Sequence, residues 1–152
     1  FYNSSEVNSE VQADQAKQAL EAKGVKVEVA TVTSTNDVQQ TMTSLAAKVD
    51  AIYLPTDNTV ASTASTIGEI LQEAKVPAMG SDAAVIDATL FTYGVDYHAI
   101  GVQAGELAVK ILKGDKPADL PVEKPNTAAV TVNEEMATAL GFDAETIKAL
   151  EK

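Results

Sequence analysis

The segment Asp50-Ala51-Ile52-Tyr53-Leu54-Pro55-Thr56-Asp57-Asn58-Thr59 constrains the fold more than any other. Residues 51–54 form a short apolar run with Ile and Tyr, the composition of a strand buried on both faces. Pro55 cannot donate to a sheet ladder and ends the run. Polar Thr56, Asp57, Asn58 and Thr59 then lead into a helix-compatible stretch at 60–75. In open α/β sheets, ligands bind beyond the carboxyl ends of parallel strands, and Asp57 and Asn58 would lie there.

The same strand, loop and helix unit recurs around this segment. Residues 8–23 place Val11, Ala16, Ala19, Leu20 and Ala22 as the apolar side of a predicted helix that stops at Gly24. Val25, Val27 and Val29, then Ala30 and Val32, predict a strand over 25–32, with Lys26 and Glu28 on the opposite face. The cap-rich loop Thr33-Ser34-Thr35-Asn36-Asp37 precedes a helix at 38–49 whose Met42, Leu45 and Ala46 share a face. Residues 76–80 are a fourth short strand opening into Ser81-Asp82. Strands alternating with helices of this length imply parallel neighbours and right-handed crossovers. The expected fold is therefore α/β, a doubly wound, mainly parallel sheet flanked by helices.

After Asp82 the rhythm changes. Residues 83–88 suit one or two helical turns, 90–95 a strand, and 99–113 a long helix. That helix turns Ile100, Ala104, Leu107, Ala108, Ile111 and Leu112 toward a core and ends at Gly114. Pro117, Pro121 and Pro125 make 115–126 an extended connecting arm. A last strand at 128–132 and two short helices, 134–140 and 144–151, complete the chain. Phe1-Tyr2, with no initiator Met, reads as the tail of a strand, so the chain is expected to be part of a longer one.

Composition narrows the function. A length of 152 residues suits one real core, burying roughly two-thirds of the unfolded surface. The net charge of −11 argues against nucleic acid or an anionic membrane surface as partner, since both demand basic patches. No cysteine is present, which excludes disulfides, thiolate catalysis and cysteine metal sites. No apolar run approaches the roughly 18 residues that span a bilayer. One histidine and the lack of P-loop, G-x-G-x-x-G or G-x-S-x-G motifs point to a protein that is not an enzyme and needs no cofactor. The acids are scattered like solvated surface charge, so no metal site is expected. His98 is expected to be structural or solvent-facing, and Tyr53 and Phe91 to lie in the core. Tyr2, Tyr93 and Tyr97, near strand ends, could each offer a flat face to an apolar ligand.

What remains is a set of polar residues at four strand ends: Asn3, Ser4, Ser5 and Asn8; Thr56, Asp57 and Asn58; Ser81 and Asp82; Asp96 and Tyr97. Convergent hydroxyls, amides and carboxylates without a nucleophile–base pair suit a binding cleft for a small polar ligand. Each is also a turn former or cap by type, and an Asn ahead of a helix, as at Asn8 and Asn58, caps it with or without a ligand.

Several stretches resemble the substrate-binding proteins of bacterial ABC transporters, in the subgroup associated with aromatic amino-acid uptake. The resemblance rests on Tyr2-Asn3-Ser4-Ser5-Glu6-Val7-Asn8-Ser9, on Val49-Asp50-Ala51-Ile52-Tyr53-Leu54-Pro55-Thr56-Asp57-Asn58-Thr59-Val60, and on Thr92-Tyr93-Gly94-Val95-Asp96-Tyr97 with Gly101. It extends through Ala108-Val109-Lys110-Ile111-Leu112-Lys113-Gly114-Asp115-Lys116-Pro117-Ala118-Asp119-Leu120-Pro121-Val122. It implies a periplasmic binding protein type I-like fold, two α/β lobes closing over a ligand, with this chain as the second half.

Residues 1–88 would then form the ligand-binding lobe, 89–127 the hinge-crossing strand, helix and proline arm that pack on the other lobe, and 128–152 the closing strand and helices. The resemblance implies ligand contacts from Ser4, Ser5, Asn8, Thr56, Asp57, Asn58 and Asp82, to which the strand-end set adds Asp96. Asp57 or Asp82 would meet the ammonium of an amino acid such as tryptophan, phenylalanine or tyrosine. Hinges would fall at Gly80 and Ser81, at Gly94 and Val95, and in the proline arm from Pro117 to Pro125. A membrane permease would be the partner, and the setting extracytoplasmic, with lipid anchoring in the full-length protein. The alternative is a flavodoxin-like receiver or enzymatic domain with Asp57 as its phosphorylated strand-end carboxylate, against which stands a first strand ending in Asn-Ser-Ser. The apolar face of the helix at 99–113 also predicts a homodimer or a domain-swapped form when nothing else covers it.

Overall fold

The computed structural model describes residues 1–125 and 128–151, with the side chain of Glu151 left aside. Asn126, at the end of the predicted arm, Thr127 and Lys152 lie outside the described residues.

The element order is β1 (Tyr2–Asn3), α1 (Val7–Glu21), β2 (Thr31–Val32), α2 (Val38–Ala46), β3 (Ile52–Leu54), α3 (Asn58–Ser62), α4 (Ala64–Ala74), β4 (Ala78–Gly80), β5 (Phe91–Val95), α5 (Tyr97–Leu112), β6 (Ala128–Val132), α6 (Glu134–Leu140) and α7 (Ala144–Lys148). Short 3-10 turns occupy Thr35–Asp37, Ala83–Ala88, Pro117–Asp119 and Ala149–Glu151. β1 pairs with β2, and β3-β4-β5-β6 form a second ladder; every pairing is parallel except β5 with β6, whose register runs from Phe91↔Val132 to Val95↔Ala128. The Phe1 nitrogen donates to the Tyr53 carbonyl at 3.0 Å and the Asn3 amide to the Asp57 carboxylate at 2.7 Å, stitching β1 to β3. The strands thus run β2-β1-β3-β4-β5-β6, a doubly wound α/β fold.

The main core is built from periodicity. In α2, Val38, Met42, Leu45 and Ala46 are buried; in α4, Ala64, Ile67, Gly68 and Leu71 are. Both sets recur at three- and four-residue steps, one stripe per helix. They close on Ile52, Leu54 and Ala78 of β3 and β4, with Phe1, Val32, Val60, Val76, Val85 and Ala88. At Gly68, α4 lies so close to the 3-10 turn that an added Cβ would collide with the Asp87 carbonyl. A smaller cluster joins Leu90, Ala137 and Ile147, tying α6 and α7 to the sheet beside β5 and β6.

Several expectations are corrected. The strand predicted over 25–32 is regular only at Thr31–Val32, because β1 offers pairing partners only from Ala30 onward. The helix expected at 60–75 is two, broken at Thr63: its hydroxyl donates to the Thr59 carbonyl at 2.8 Å and its backbone leaves the helical region. Lys75 ends α4 in the left-handed conformation (φ 57°), with the Val76 amide reaching back to Leu71. The proline arm is not extended throughout, since Pro117–Asp119 form a 3-10 turn. The face assigned to the first helix is mostly exposed: Val11 and Leu20 reach water, and Ser9 is the one buried residue of α1. The face of α5 expected to meet a core buries nothing, and Leu112 is 86% exposed. Tyr53 and Phe91 are half-buried and His98 is exposed.

Candidate functional site at the carboxyl ends of the strands

Parallel pairing of β3 with β4, and the Phe1–Tyr53 and Asn3–Asp57 bonds that hold β1 beside β3, bring the carboxyl ends of these strands together. The loops that leave them are laced together by side chains. Gln12, on the first turns of α1, accepts from the Thr56 amide and from the Ser81 hydroxyl, each at 3.0 Å. Thr56 and Ser81 also share a hydrogen bond at 3.3 Å between their hydroxyls. The Asn8 side-chain amide and the Ser9 hydroxyl both donate to the Thr56 carbonyl, at 2.8 and 3.0 Å. One helix face therefore reads the end of β3 and the end of β4 together.

The acids serve the loops. Asp57, 3% exposed, accepts from the Val60 amide with Oδ1 and from the Asn3 amide with Oδ2, capping α3 and holding β1. Glu6 accepts from the Asn58 amide with both oxygens, from the Thr59 amide, and from the Asn58 side chain at 3.0 Å. It clamps the β1–α1 loop onto the start of α3. Asp82 caps the 3-10 turn through the Ala84 amide at 2.9 Å and accepts from the Tyr97 hydroxyl at 2.8 Å. That bond, more than burial, holds the Tyr97 phenol above its ordinary pKa. Asp96 is exposed and caps α5 through the His98 and Ala99 amides.

Of the residues singled out in the sequence, Asn8 bonds Thr56, which in turn bonds Gln12 and Ser81; Ser5 and Asp57 are joined through Asn3, and Asn58 is held by Glu6, whereas Ser4 bonds only Val32 and the Asp82 carboxylate only Ala84 and Tyr97. Ser4 is anchored by its amide to the Val32 carbonyl at 3.0 Å, and the Ser5 amide rests on the Asn3 side chain at 2.8 Å. Ser4, Ser5, Asn8 and Asn58 are exposed at this end of the sheet. Asp96 stands apart, linked only through Tyr97 and its bond to Asp82. At the expected hinges, Gly80 is buried and Ser81, Gly94 and Val95 half-buried; a Cβ on Gly94 would collide with the Ser81 carbonyl, so β5 runs in close contact with the end of β4.

Sequence reasoning missed Glu6 and Gln12. The signal for Gln12 was present: Asn8, Ser9 and Gln12 form a polar stripe at helical spacing where an apolar one was sought. Glu6 left no local signal, because its partners lie 52 positions away.

Chemically, the cluster offers hydroxyls and amides and no exposed base held against a nucleophile. Among the described residues no group of three His, Cys, Asp or Glu could hold a metal ion. A hollow of about 330 Å³ lies nearby, lined by Ala83, Thr92, Gly94, Asp96, Tyr97 and Thr131 among others. A larger groove of about 610 Å³ lies away from the cluster, between β2 and α2.

Comparison with known proteins agrees with this architecture. Residues 1–148 match the family described as ABC transporter substrate binding protein. A tyrosine-binding protein of Clostridioides difficile is 33% identical over 141 residues, which are 92% of this chain and 41% of that protein. An ABC domain from Streptococcus pneumoniae, solved in complex with L-Trp, superposes with a TM-score of 0.84 at 38% identity over 99% of this chain and 51% of its own. A substrate-binding protein with adhesive properties from Clostridium difficile, in its ligand-free open form, gives a TM-score of 0.77 at 38% identity over 93% of this chain and 48% of its own. The chain thus spans about half the length of the relatives it matches. With a strand-end polar cluster on a doubly wound sheet and this agreement along its length, the chain belongs to the ABC transporter substrate-binding protein family.

Proposed function

We propose that this chain forms one lobe of the solute-binding component of an ABC importer, taking a small amino acid, best an aromatic one, against the strand-end cluster. The observation that carries the reading is the convergence of exposed Ser4, Ser5, Asn8 and Asn58 over a base already locked by Gln12, Glu6 and Asp57. A binding protein needs donors and acceptors held in place before the ligand arrives, because ordering them on binding would cost affinity. The relatives named above include one called tyrosine-binding and one holding L-Trp, and these support the ligand class.

In this reading Ser4, Ser5, Asn8, Thr56 and Asn58 meet the ligand. Asp57 and Asp82 shape the loops, since their oxygens already accept from the chain's own donors. That saturation also weighs against Asp57 as a receiver-type phosphorylation site. Residues 1–88 act as the binding lobe and 128–152 as its closing unit. The segment 89–127 packs on a second lobe, which gives the exposed apolar side of α5 its cover. Gly80, Ser81, Gly94 and Val95 sit where the lobes would rotate, a membrane permease receives the loaded receptor, and the setting is extracytoplasmic.

Isothermal titration of L-tryptophan, L-tyrosine and L-phenylalanine into the two-lobed receptor carrying this chain tests the proposal. Binding of at least one, weakened about tenfold or more by Asn58→Ala, which removes donors to the ligand side and to Glu6, is the expected result. Heatless titration by all three sends the ligand class elsewhere.

A further inference from the structure

The hydrogen bonds at the strand ends fix which way each proton points, and this decides what kind of ligand group the site can receive. The Thr56 amide can only donate, so the end of the Gln12 side chain that it meets at 3.0 Å is the oxygen. That oxygen carries no hydrogen, so the Ser81 hydroxyl, also 3.0 Å away, donates to it. A hydroxyl has one hydrogen to give, and Ser81 has then given it. In the 3.3 Å contact between the Ser81 and Thr56 hydroxyls, Thr56 is therefore the donor. Its proton is turned toward Ser81, and toward a ligand its oxygen can only accept. Gln12, Thr56 and Ser81 are all half-buried, where water competes less for these bonds.

Asn8 follows the same arithmetic. Its side-chain nitrogen donates to the Thr56 carbonyl at 2.8 Å and to the Ser9 hydroxyl at 3.5 Å, and no donor among the described residues meets its oxygen. Asp57 and Asp82, the charged acceptors nearby, are by contrast taken up by the chain's own donors. We propose that Gln12 is a positioning residue that gives the site its polarity: by ordering the Ser81 and Thr56 protons it leaves the Thr56 hydroxyl, beside the Asn8 oxygen, as an acceptor, so that this lobe receives the ammonium group of an amino acid and not its carboxylate. The inference rests on the reading of the chain as part of an amino-acid receptor and adds which end of the amino acid this lobe holds. An ammonium brings hydrogens and no acceptor, whereas a carboxylate brings only acceptors and would set oxygen against oxygen.

The test is isothermal titration of the two-lobed receptor with L-tryptophan, L-tyrosine and L-phenylalanine, each beside its amine-free counterpart: indole-3-propionate, desaminotyrosine and hydrocinnamate. Gln12→Leu removes the oxygen that orders the protons and frees Thr56 to donate outward. Binding of the amino acid that wild type takes should weaken by about tenfold, while that of its amine-free counterpart should not weaken. Ser81→Ala should do the same, which keeps the test standing if Gln12→Leu does not fold. Gln12→Glu, with an acceptor still in place, should hold the preference for the amino acid that Gln12→Leu loses. In a Thr56→Val background, with no hydroxyl left to order, Gln12→Leu should cost nothing further. Equal weakening of both ligands, loss of the preference in Gln12→Glu, or an undiminished further loss in the Thr56→Val background makes Gln12 a structural support only and overturns the proposal. A wild type that binds none of the three amino acids defeats the receptor reading itself, and this inference with it.

Discussion

Helices α4 and α5 are built from similar residues and have opposite fates. α4 buries Ala64, Ile67, Gly68 and Leu71, the last with Ile67 wholly enclosed. α5 is longer, carries Ile100, Leu107, Ile111 and Leu112, and buries none of them. Helical patterning specifies that a face is to be covered and says nothing of what covers it. For α4 the cover is α2, the sheet and the 3-10 turn of the same chain; the described residues bury no residue of α5, and under the proposed function a second lobe supplies its cover.

The largest effect separates the two helices by truncation. Leu71→Ala should cost about 2–5 kcal/mol through lost burial and a cavity, while Leu107→Ala in the chain by itself should stay within about 0.5 kcal/mol. Urea denaturation of both variants measures it, and equal losses would erase the distinction. Restoring a covering lobe should raise the cost at Leu107 and leave that at Leu71 unchanged.

Glycine provides a second, sharper contrast. Gly68→Ala drives a methyl into the Asp87 carbonyl and should destabilise by about 1–3 kcal/mol despite better helix propensity. Gly105→Ala in α5 meets nothing within 4 Å and should stabilise by about 0.5–1 kcal/mol. Melting temperatures should therefore move in opposite directions.

The smallest effect concerns how α5 is tied down. Tyr97→Phe removes the hydroxyl bonded to Asp82 and, at a half-exposed site, should cost under about 1 kcal/mol at neutral pH. The folded chain holds this phenol above its ordinary pKa, first through that hydrogen bond. The contribution is therefore complete below the unfolded value of about 10 and is lost as pH rises through the folded one. Wild type and variant should differ by a constant amount from pH 7 to 9 and converge above about pH 10, as urea midpoints at each pH would show.

Much of this was legible in the residues and some was not, for physical reasons. The stripes of α2 and the run at 51–54 are local patterns, so Met42, Leu45, Ala46 and the end of β3 at Pro55 could be read directly. Thr63 looked like an ordinary helix position, because the competition of its hydroxyl for the Thr59 carbonyl is decided by geometry. The strand predicted over 25–32 has the right alternation, but a strand exists only where a partner offers hydrogen bonds, and that is a property of the neighbour. At the site, Ser4, Asn8, Thr56, Asp57 and Asn58 could be grouped because parallel topology gathers strand ends. Glu6 could not, since a clamp across 52 residues leaves no spacing to read.

The most direct test of the central claim is hydrogen exchange by mass spectrometry on the two-lobed receptor, with and without the amino acid that binds it. The account predicts that ligand slows exchange in peptides covering residues 3–12, 56–62 and 80–84, and leaves 24–31 unchanged. Ligand-induced protection that bypasses all three strand-end loops, with binding demonstrated in the same sample, would contradict it.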